Sequence, residues 1–151
     1  MPSILQKLLL GIPLACLATG HTLTDSVSSN YKIDVHSHVV PSIWREELIS
    51  AGYPVKNGTL YTDGFPVSDW TLDSHITTMN SLGVNYSTIS VSAPGVFFLK
   101  EAKKAKSLAR RVNLLLHNYT QTYPTRLGAL CLLPLPYVDE AVEELKVPFH
   151  P

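Results

Sequence analysis

The spacing of apolar positions changes several times along the chain, and each change marks an element. Ile33-Asp34-Val35-His36-Ser37-His38 is a short β-branched run interleaved with polar residues, which predicts a strand over 32–38. After Pro41, a residue suited to the first helical turn, Ile43, Trp44, Leu48 and Ile49 recur at helical steps until Ala51-Gly52 ends the pattern. Residues 53–66 mix glycine, proline and tyrosine without a period. That stretch predicts a long loop, and long loops in compact folds are candidates to cover a functional site.

Asp69-Trp70-Thr71 opens a second helix whose stripe is Leu72, Ile76, Met79 and Leu82, with Gly83 placed to end it. His75 lies beside that stripe and reads as a helix-surface residue rather than a ligand. Residues 86–91 (YSTISV) predict a buried second strand, broken at Ser92-Ala93-Pro94-Gly95. The longest helical pattern covers about 99–119, with Leu99, Ala102, Ala105, Leu108, Val112, Leu115 and Tyr119 at steps of three and four. Lys100, Lys103, Lys104, Lys106, Arg110 and Arg111 fall mostly off that stripe and predict a solvated face. Residues 127–133 form an apolar run of strand length, stopped by Pro134-Leu135-Pro136. Residues 139–145 (DEAVEEL) start another helix with acids in its first turn, where the helix dipole favours them.

The order is strand, helix, strand, helix, strand, incipient helix. Buried strands alternating with amphipathic helices give an α/β fold with a parallel sheet covered by those helices. A (β/α)8 barrel of the TIM type takes about 250 residues. The expectation is therefore the N-terminal portion of such a barrel, about three β/α units, truncated.

The first residues follow different rules. Residues 8–17 (LLLGIPLACL) are apolar behind Lys7, and Ala18-Thr19-Gly20 offers the small residues a signal peptidase needs. A run of about ten apolar residues is half of what a spanning helix requires. Residues 1–20 are thus expected to be a signal peptide, 21–31 a linker, 32–146 the α/β unit and 147–151 a divergent tail, in a secreted protein without a membrane span. Cys16 falls in the signal and leaves Cys131 alone, so no internal disulfide is expected. Secretion would expose the sequons at Asn57, Asn85 and Asn118 to glycosylation.

Among 151 residues, 12 basic and 12 acidic side chains balance, so no cationic surface for nucleic acid is expected. The candidate chemistry sits in the first strand. In an extended chain residues i and i+2 project from one side, so His36 and His38 can reach one ion. The pair closes the first strand, and barrels of parallel strands collect their chemistry at the C-terminal strand ends. The pattern alone is a weak one, since the chain has six histidines.

Together with Ile33 to His38, three further landmarks carry a resemblance: Met79-Asn80-Ser81-Leu82-Gly83-Val84, Ser90-Val91-Ser92-Ala93-Pro94-Gly95, and Pro124-Thr125-Arg126-Leu127-Gly128-Ala129 through Leu133-Pro134-Leu135-Pro136. In order and spacing they resemble the amidohydrolase-related (amidohydrolase 2) decarboxylases, the family of aminocarboxymuconate-semialdehyde decarboxylase and the fungal 6-methylsalicylate decarboxylases. The resemblance covers roughly residues 32–146.

It implies metal-dependent, non-oxidative decarboxylation of an aromatic or muconate-type carboxylic acid in a barrel. The divalent metal would be zinc, or manganese as in some members, held in part by His36 and His38. The family's third histidine, its acid/base histidine and its aspartate ligand have no matching positions, and His117 and His150 do not stand where a strand end would place them. No catalytic residue is therefore expected within this chain, and as written it is expected to be inactive. The expected partner is a small-molecule carboxylic acid; a homo-oligomer is a further candidate. Two other functions stay open: a metal-dependent amidohydrolase or lactonase, and a non-catalytic secreted fragment that acts as a binding module.

Overall fold

The structure, a computed structural model, describes residues 30–147. The expected signal at 1–20, most of the linker, most of the tail, Cys16 and His150 lie outside the described residues. The elements are β1 (Ile33–Val39), α1 (Ser42–Ser50), β2 (Val55–Lys56), β3 (Thr59–Thr62), β4 (Phe65–Val67), α2 (Leu72–Leu82), β5 (Tyr86–Val91), α3 (Ala102–Thr122), β6 (Leu127–Ala129) and α4 (Val138–Leu145). β1, β5 and β6 form a parallel sheet in that order. The α/β alternation read from the sequence is present.

One face of this sheet is packed and the other is open. Ser87 and Ile89 of β5 and Leu127 of β6 are buried against the helices, together with Trp44 and Leu48 of α1 and Leu108, Val112 and Leu116 of α3. On β1, Ile33 and Val35 are 57% and 71% exposed. Such apolar strand residues leave the far face of the sheet without a cover among the described residues.

The stretch 53–66 is not a loop. β2, β3 and β4 pair as an antiparallel meander. Its two connections are the two-residue turns Asn57-Gly58 and Asp63-Gly64, all four residues having positive φ, 50° and 82° in the first and 50° and 87° in the second. Those are the backbone angles of type I′ turns, whose twist matches that of the flanking strands, and Asn-Gly and Asp-Gly are the pairs that adopt them most readily. The hairpin signal is in the sequence, masked by the absence of a period in strands this short.

The third parallel strand is also shorter than its apolar run. Strand pairing ends at Ala129, although the Leu130 N–H still donates to the Ile89 carbonyl at 2.9 Å. Beyond it, the Asn113 carboxamide of α3 captures Leu132: its Nδ2 donates to the Leu132 carbonyl at 2.9 Å, and its Oδ1 accepts the Leu132 N–H at 2.7 Å. A side chain thus takes the bonds a neighbouring strand would take.

Helix boundaries shift by a few residues for local reasons. The Thr71 side chain caps α2 reciprocally with Ser74, and Gly83 closes it in the left-handed conformation at φ +66°. Leu82, expected on the buried stripe, is 61% exposed. α3 starts at Ala102 rather than near 99, and its buried seam is Ala105, Leu108, Ala109, Val112 and Leu116, with Leu115 only half-buried. The basic face of α3 is not wholly solvated: Lys106 pairs with Glu143, Arg110 with the buried Glu144 at 3.0 Å, and Arg111 with Glu47 at 3.0 Å. At the N-terminal end of the sheet, Arg126 donates to the carbonyls of Val84 and Asn85 and to Asn80 Oδ1, tying α2, β5 and β6 together. Among the described residues no helix is long and apolar enough to cross a membrane.

Candidate functional site

β1 places its histidines through an irregularity. Asp34 pairs with Ser87 and Ser37 with Ile89, so β1 carries one extra residue between those positions. Because Ser87 and Ile89 both face the helices, the bulge puts Asp34 and Ser37, three residues apart, on that same side. In a strictly alternating strand Asp34 would share a face with His36 and His38. The bulge separates the carboxylate from the imidazoles, a re-aiming of side chains typical of such features. Asp34 still fixes the kink, since its Oδ1 accepts the His36 backbone N–H at 3.0 Å.

His36 and His38 meet on the open side. Their Nε2 atoms are 3.0 Å apart and their rings meet edge to face with centroids 4.6 Å apart. One ring can donate an Nε2–H to the other when no ion is present. Alternatively, two Nε2 lone pairs at this separation can converge on one divalent ion at about 2.0–2.1 Å from each nitrogen. Both side chains are exposed, so an ion would reach them without opening the fold. Among the described residues no group of three or more histidine, cysteine, aspartate or glutamate side chains comes together for a metal. Catalytic zinc normally has three protein ligands, so the pair fits part of such a site.

A cleft of about 270 Å³ opens beside His38. Trp44, Thr62, Phe65, Trp70 and Ser92 are among its walls. The meander therefore flanks the histidine pair, in the position the sequence suggested for a covering loop. Trp44 is held by a 2.6 Å bond from its Nε1 to the Gly95 carbonyl, which anchors α1 to the turn after β5. Trp70 packs on Tyr119 and on His75, whose Nδ1 lies 3.5 Å from the Trp70 indole nitrogen.

His75 is not a surface residue of α2. It is half-buried, its Nε2 has no hydrogen-bond partner, and burial lowers its pKa from 6.5 against the opposing pull of Asp34. It is not among the residues lining the His38 cleft. His117 lies on α3 along a separate groove of about 380 Å³ beside the free edge of β6, with Asn113, Thr120 and Cys131. Burial raises the Cys131 thiol pKa, Glu144 adds to the effect and Arg110 opposes it, so this is no activated thiolate. The sequence reading missed the meander, Trp70 and Phe65 as cleft walls. The Asn57-Gly58 and Asp63-Gly64 pairs were the signal available.

No family model matches the chain. Over 103 residues it is 32% identical to the 6-methylsalicylic acid decarboxylase of Aspergillus aculeatus, a match covering 68% of this chain and 29% of that protein. Over 74 residues it is 34% identical to the gamma-resorcylate decarboxylase of Rhizobium radiobacter, covering 49% of this chain and 23% of the relative. Its homologues are amidohydrolase-superfamily decarboxylases. The chain spans about a third or less of the length of these decarboxylases. The crystal structure of an amidohydrolase II superposes with a TM-score of 0.66 at 32% identity, covering 74% of this chain and 34% of that one. A dihydroxybenzoic acid decarboxylase from Polaromonas, solved with manganese and 2-nitroresorcinol, shares the fold at a TM-score of 0.54 and 24% identity, over 78% of this chain and 34% of its own.

Proposed function

We propose that the chain forms the first part of a metal-dependent decarboxylase barrel, and that the completed protein removes carbon dioxide from an aromatic acid of the ortho-hydroxybenzoate type. The observation that carries this reading is the convergence of the His36 and His38 Nε2 atoms at 3.0 Å, in a chain 32% identical over 103 residues to a 6-methylsalicylic acid decarboxylase. Both 6-methylsalicylate and gamma-resorcylate carry a hydroxyl ortho to the carboxylate, which is the basis for the substrate class.

In this reading β1, β5 and β6 are consecutive strands of a (β/α)8 barrel. The open sheet face becomes its interior, and the groove at the free edge of β6 receives the next unit. This explains why Ile33 and Val35 are apolar though exposed. His36 and His38 hold a divalent ion through Nε2, zinc or manganese, and further ligands come from outside the described residues. Such an ion, when bound, orients the carboxylate and the ortho oxygen and draws electron density from them. The chain's own part is to fix both rings: the bulge aims them to one side, and Asp34 holds the backbone of His36 in place. The meander lines the same cleft as His38 and so forms one wall at that end of the sheet. The reading also keeps residues 1–20 as a secretory signal and 21–31 as a linker.

The test is carbon dioxide release from 6-methylsalicylate by the protein as its own source makes it, with its intact mass measured in the same preparation. Expected are a product of barrel size, activity lost on chelation and restored by Zn²⁺ or Mn²⁺, and a drop of at least about 100-fold in His36→Ala and His38→Ala, since each removes a direct ligand. Metal-independent release of carbon dioxide, or hydrolysis of an amide or lactone in its place, would overturn it.

A further inference from the structure

We infer that Asn57, at the tip of the β2–β3 hairpin, is the acceptor for an N-linked oligosaccharide in this chain, and that Asn85 and Asn118 stay bare although both stand in the same Asn-x-Ser/Thr pattern. The inference rests on the secretory reading of residues 1–20 for access to the glycosylating enzyme, and on the geometry of the three sequons for the choice among them. The donor class is an oligosaccharide linked to a lipid pyrophosphate. A bond forms between Asn57 Nδ2 and the anomeric carbon, the carbon–oxygen bond to the pyrophosphate breaks with its electron pair on the leaving group, and the carboxamide gives up one proton.

The hairpin tip offers what a bulky, hydrated substituent needs, a surface position with its hydroxyl partner two residues on. Asn57 and Gly58 are the two exposed residues of the first type I′ turn, and Thr59 opens β3. Among the described residues no hydrogen bond holds the Asn57 carboxamide or the Thr59 hydroxyl. A Cβ built on Gly58 meets nothing within 4 Å, so the space at the tip is open. The Arg45 guanidinium donates to the Gly58 carbonyl at 3.1 Å, which seats the tip on α1 through its backbone and leaves the Asn57 side chain out of the contact. Asn57 lines neither the His38 cleft nor the groove beside β6, so a glycan there obstructs neither.

The other two sequons are committed elsewhere. Asn85 Oδ1 accepts the Lys32 backbone N–H at 2.9 Å, its own N–H donates to the Lys32 carbonyl at 2.9 Å, and its carbonyl accepts from Arg126 at 2.8 Å. Its hydroxyl partner, Ser87, is wholly buried. Asn118 lies within the 21-residue helix α3, where the Thr120 hydroxyl donates to the His117 carbonyl at 2.8 Å. His117, Thr120 and Gln121 also line the groove beside the free edge of β6, so a glycan on Asn118 would stand next to the unit that the barrel reading places there.

The test expresses the full 151-residue chain in a eukaryotic secretory host in two forms, one with its own N-terminus and one with residues 1–20 replaced by an established secretory leader. Chain is recovered from medium and cells together and treated with peptide N-glycosidase, which converts a glycan-bearing Asn to Asp. Peptide mass mapping then reads the occupancy of each sequon. Expected is an occupancy at Asn57 at least about tenfold above that at Asn85 or Asn118, lost in Thr59→Ala and kept in Thr59→Ser. Both variants leave the turn residues in place, so this contrast reports the sequon and not a change of fold. A leader-driven chain with Asn57 bare, or with Asn85 or Asn118 occupied to a similar degree, would overturn the inference. The secretory reading fails separately. If the leader-driven form carries its glycan on Asn57 while the form with its own N-terminus keeps residues 1–20 and carries none, the signal falls and the acceptor geometry stands.

Discussion

Asn113 pairs with the backbone of Leu132 through both ends of its carboxamide, at 2.9 Å to the carbonyl and 2.7 Å from the N–H. Its Nδ2 also donates to the buried Glu144 at 2.8 Å, so one side chain on α3 locks both the segment after β6 and the docking of α4. Replacing it strands a backbone N–H, a backbone carbonyl and a carboxylate oxygen. Asn113→Ala should destabilise the chain by about 2–4 kcal/mol, since each unsatisfied buried group costs about 1–3 kcal/mol and some regain water. Chemical denaturation of the parent and the variant checks this. A loss under about 1 kcal/mol would mean that α4 and residues 130–135 stay in place without the carboxamide.

The half-buried His75 makes stability depend on pH. Its folded pKa lies below the ordinary 6.5, so on acidification the unfolded chain takes up a proton that the folded chain resists. Stability therefore rises with pH across this window. The contribution is intact above 6.5, declines as pH falls below it, and levels off below the depressed folded value. His75→Gln removes the titration, so its urea midpoint should fall less than the parent's between pH 7.5 and 5.5. Parallel profiles would show that Asp34 cancels the effect of burial.

Gly128 has no room for a side chain. A Cβ built there would collide with the Tyr86 hydroxyl and lie 3.2 Å from the ring carbon that carries it. Gly128→Ala must displace Tyr86 across the open sheet face, at about 1–3 kcal/mol for overpacking. Tyr86→Phe removes the closest contact and leaves the ring contacts. The two substitutions should thus couple, with Gly128→Ala milder in the Tyr86→Phe background by at least about 0.5 kcal/mol. Additive denaturation energies would show that Tyr86 swings aside freely.

The meander depends on its turns. Gly64 stands at φ +87° with nothing near a built Cβ, so Gly64→Ala introduces backbone strain without a clash. It should cost about 1 kcal/mol. Urea denaturation of Gly64→Ala against the parent checks this, and an unchanged midpoint would show that the turn relaxes without strain.

The periodicities of α1, α2, α3 and β5 were legible because each element contributes a repeating face to one core, and a repeating face leaves a repeating sequence. The His36 and His38 pair was legible for the same reason, since alternation along a strand is a local rule. What local rules did not show is the phase of β1. Its bulge sends Asp34 to the helices and both histidines to the open side, and that register is set by pairing with β5, more than fifty residues later. The length of β6 was equally hidden, because the residue that ends its pairing, Asn113, sits on a different element.

The sequence by itself determined the α/β alternation, the parallel order of strands implied by it, and the two imidazoles one residue apart. These follow from short-range geometry: 3.6 residues per helical turn, two per strand repeat, and caps and turns written in single residues. Only the tertiary structure decided that the meander at 53–66 lies beside His38, that Trp44, Trp70 and Phe65 line a cleft there, and that His75 is half-buried. Each of these joins residues that are far apart in the chain or depends on which face of a strand is covered. Such relations are settled by packing, where burial of apolar area competes with satisfaction of every polar group it encloses.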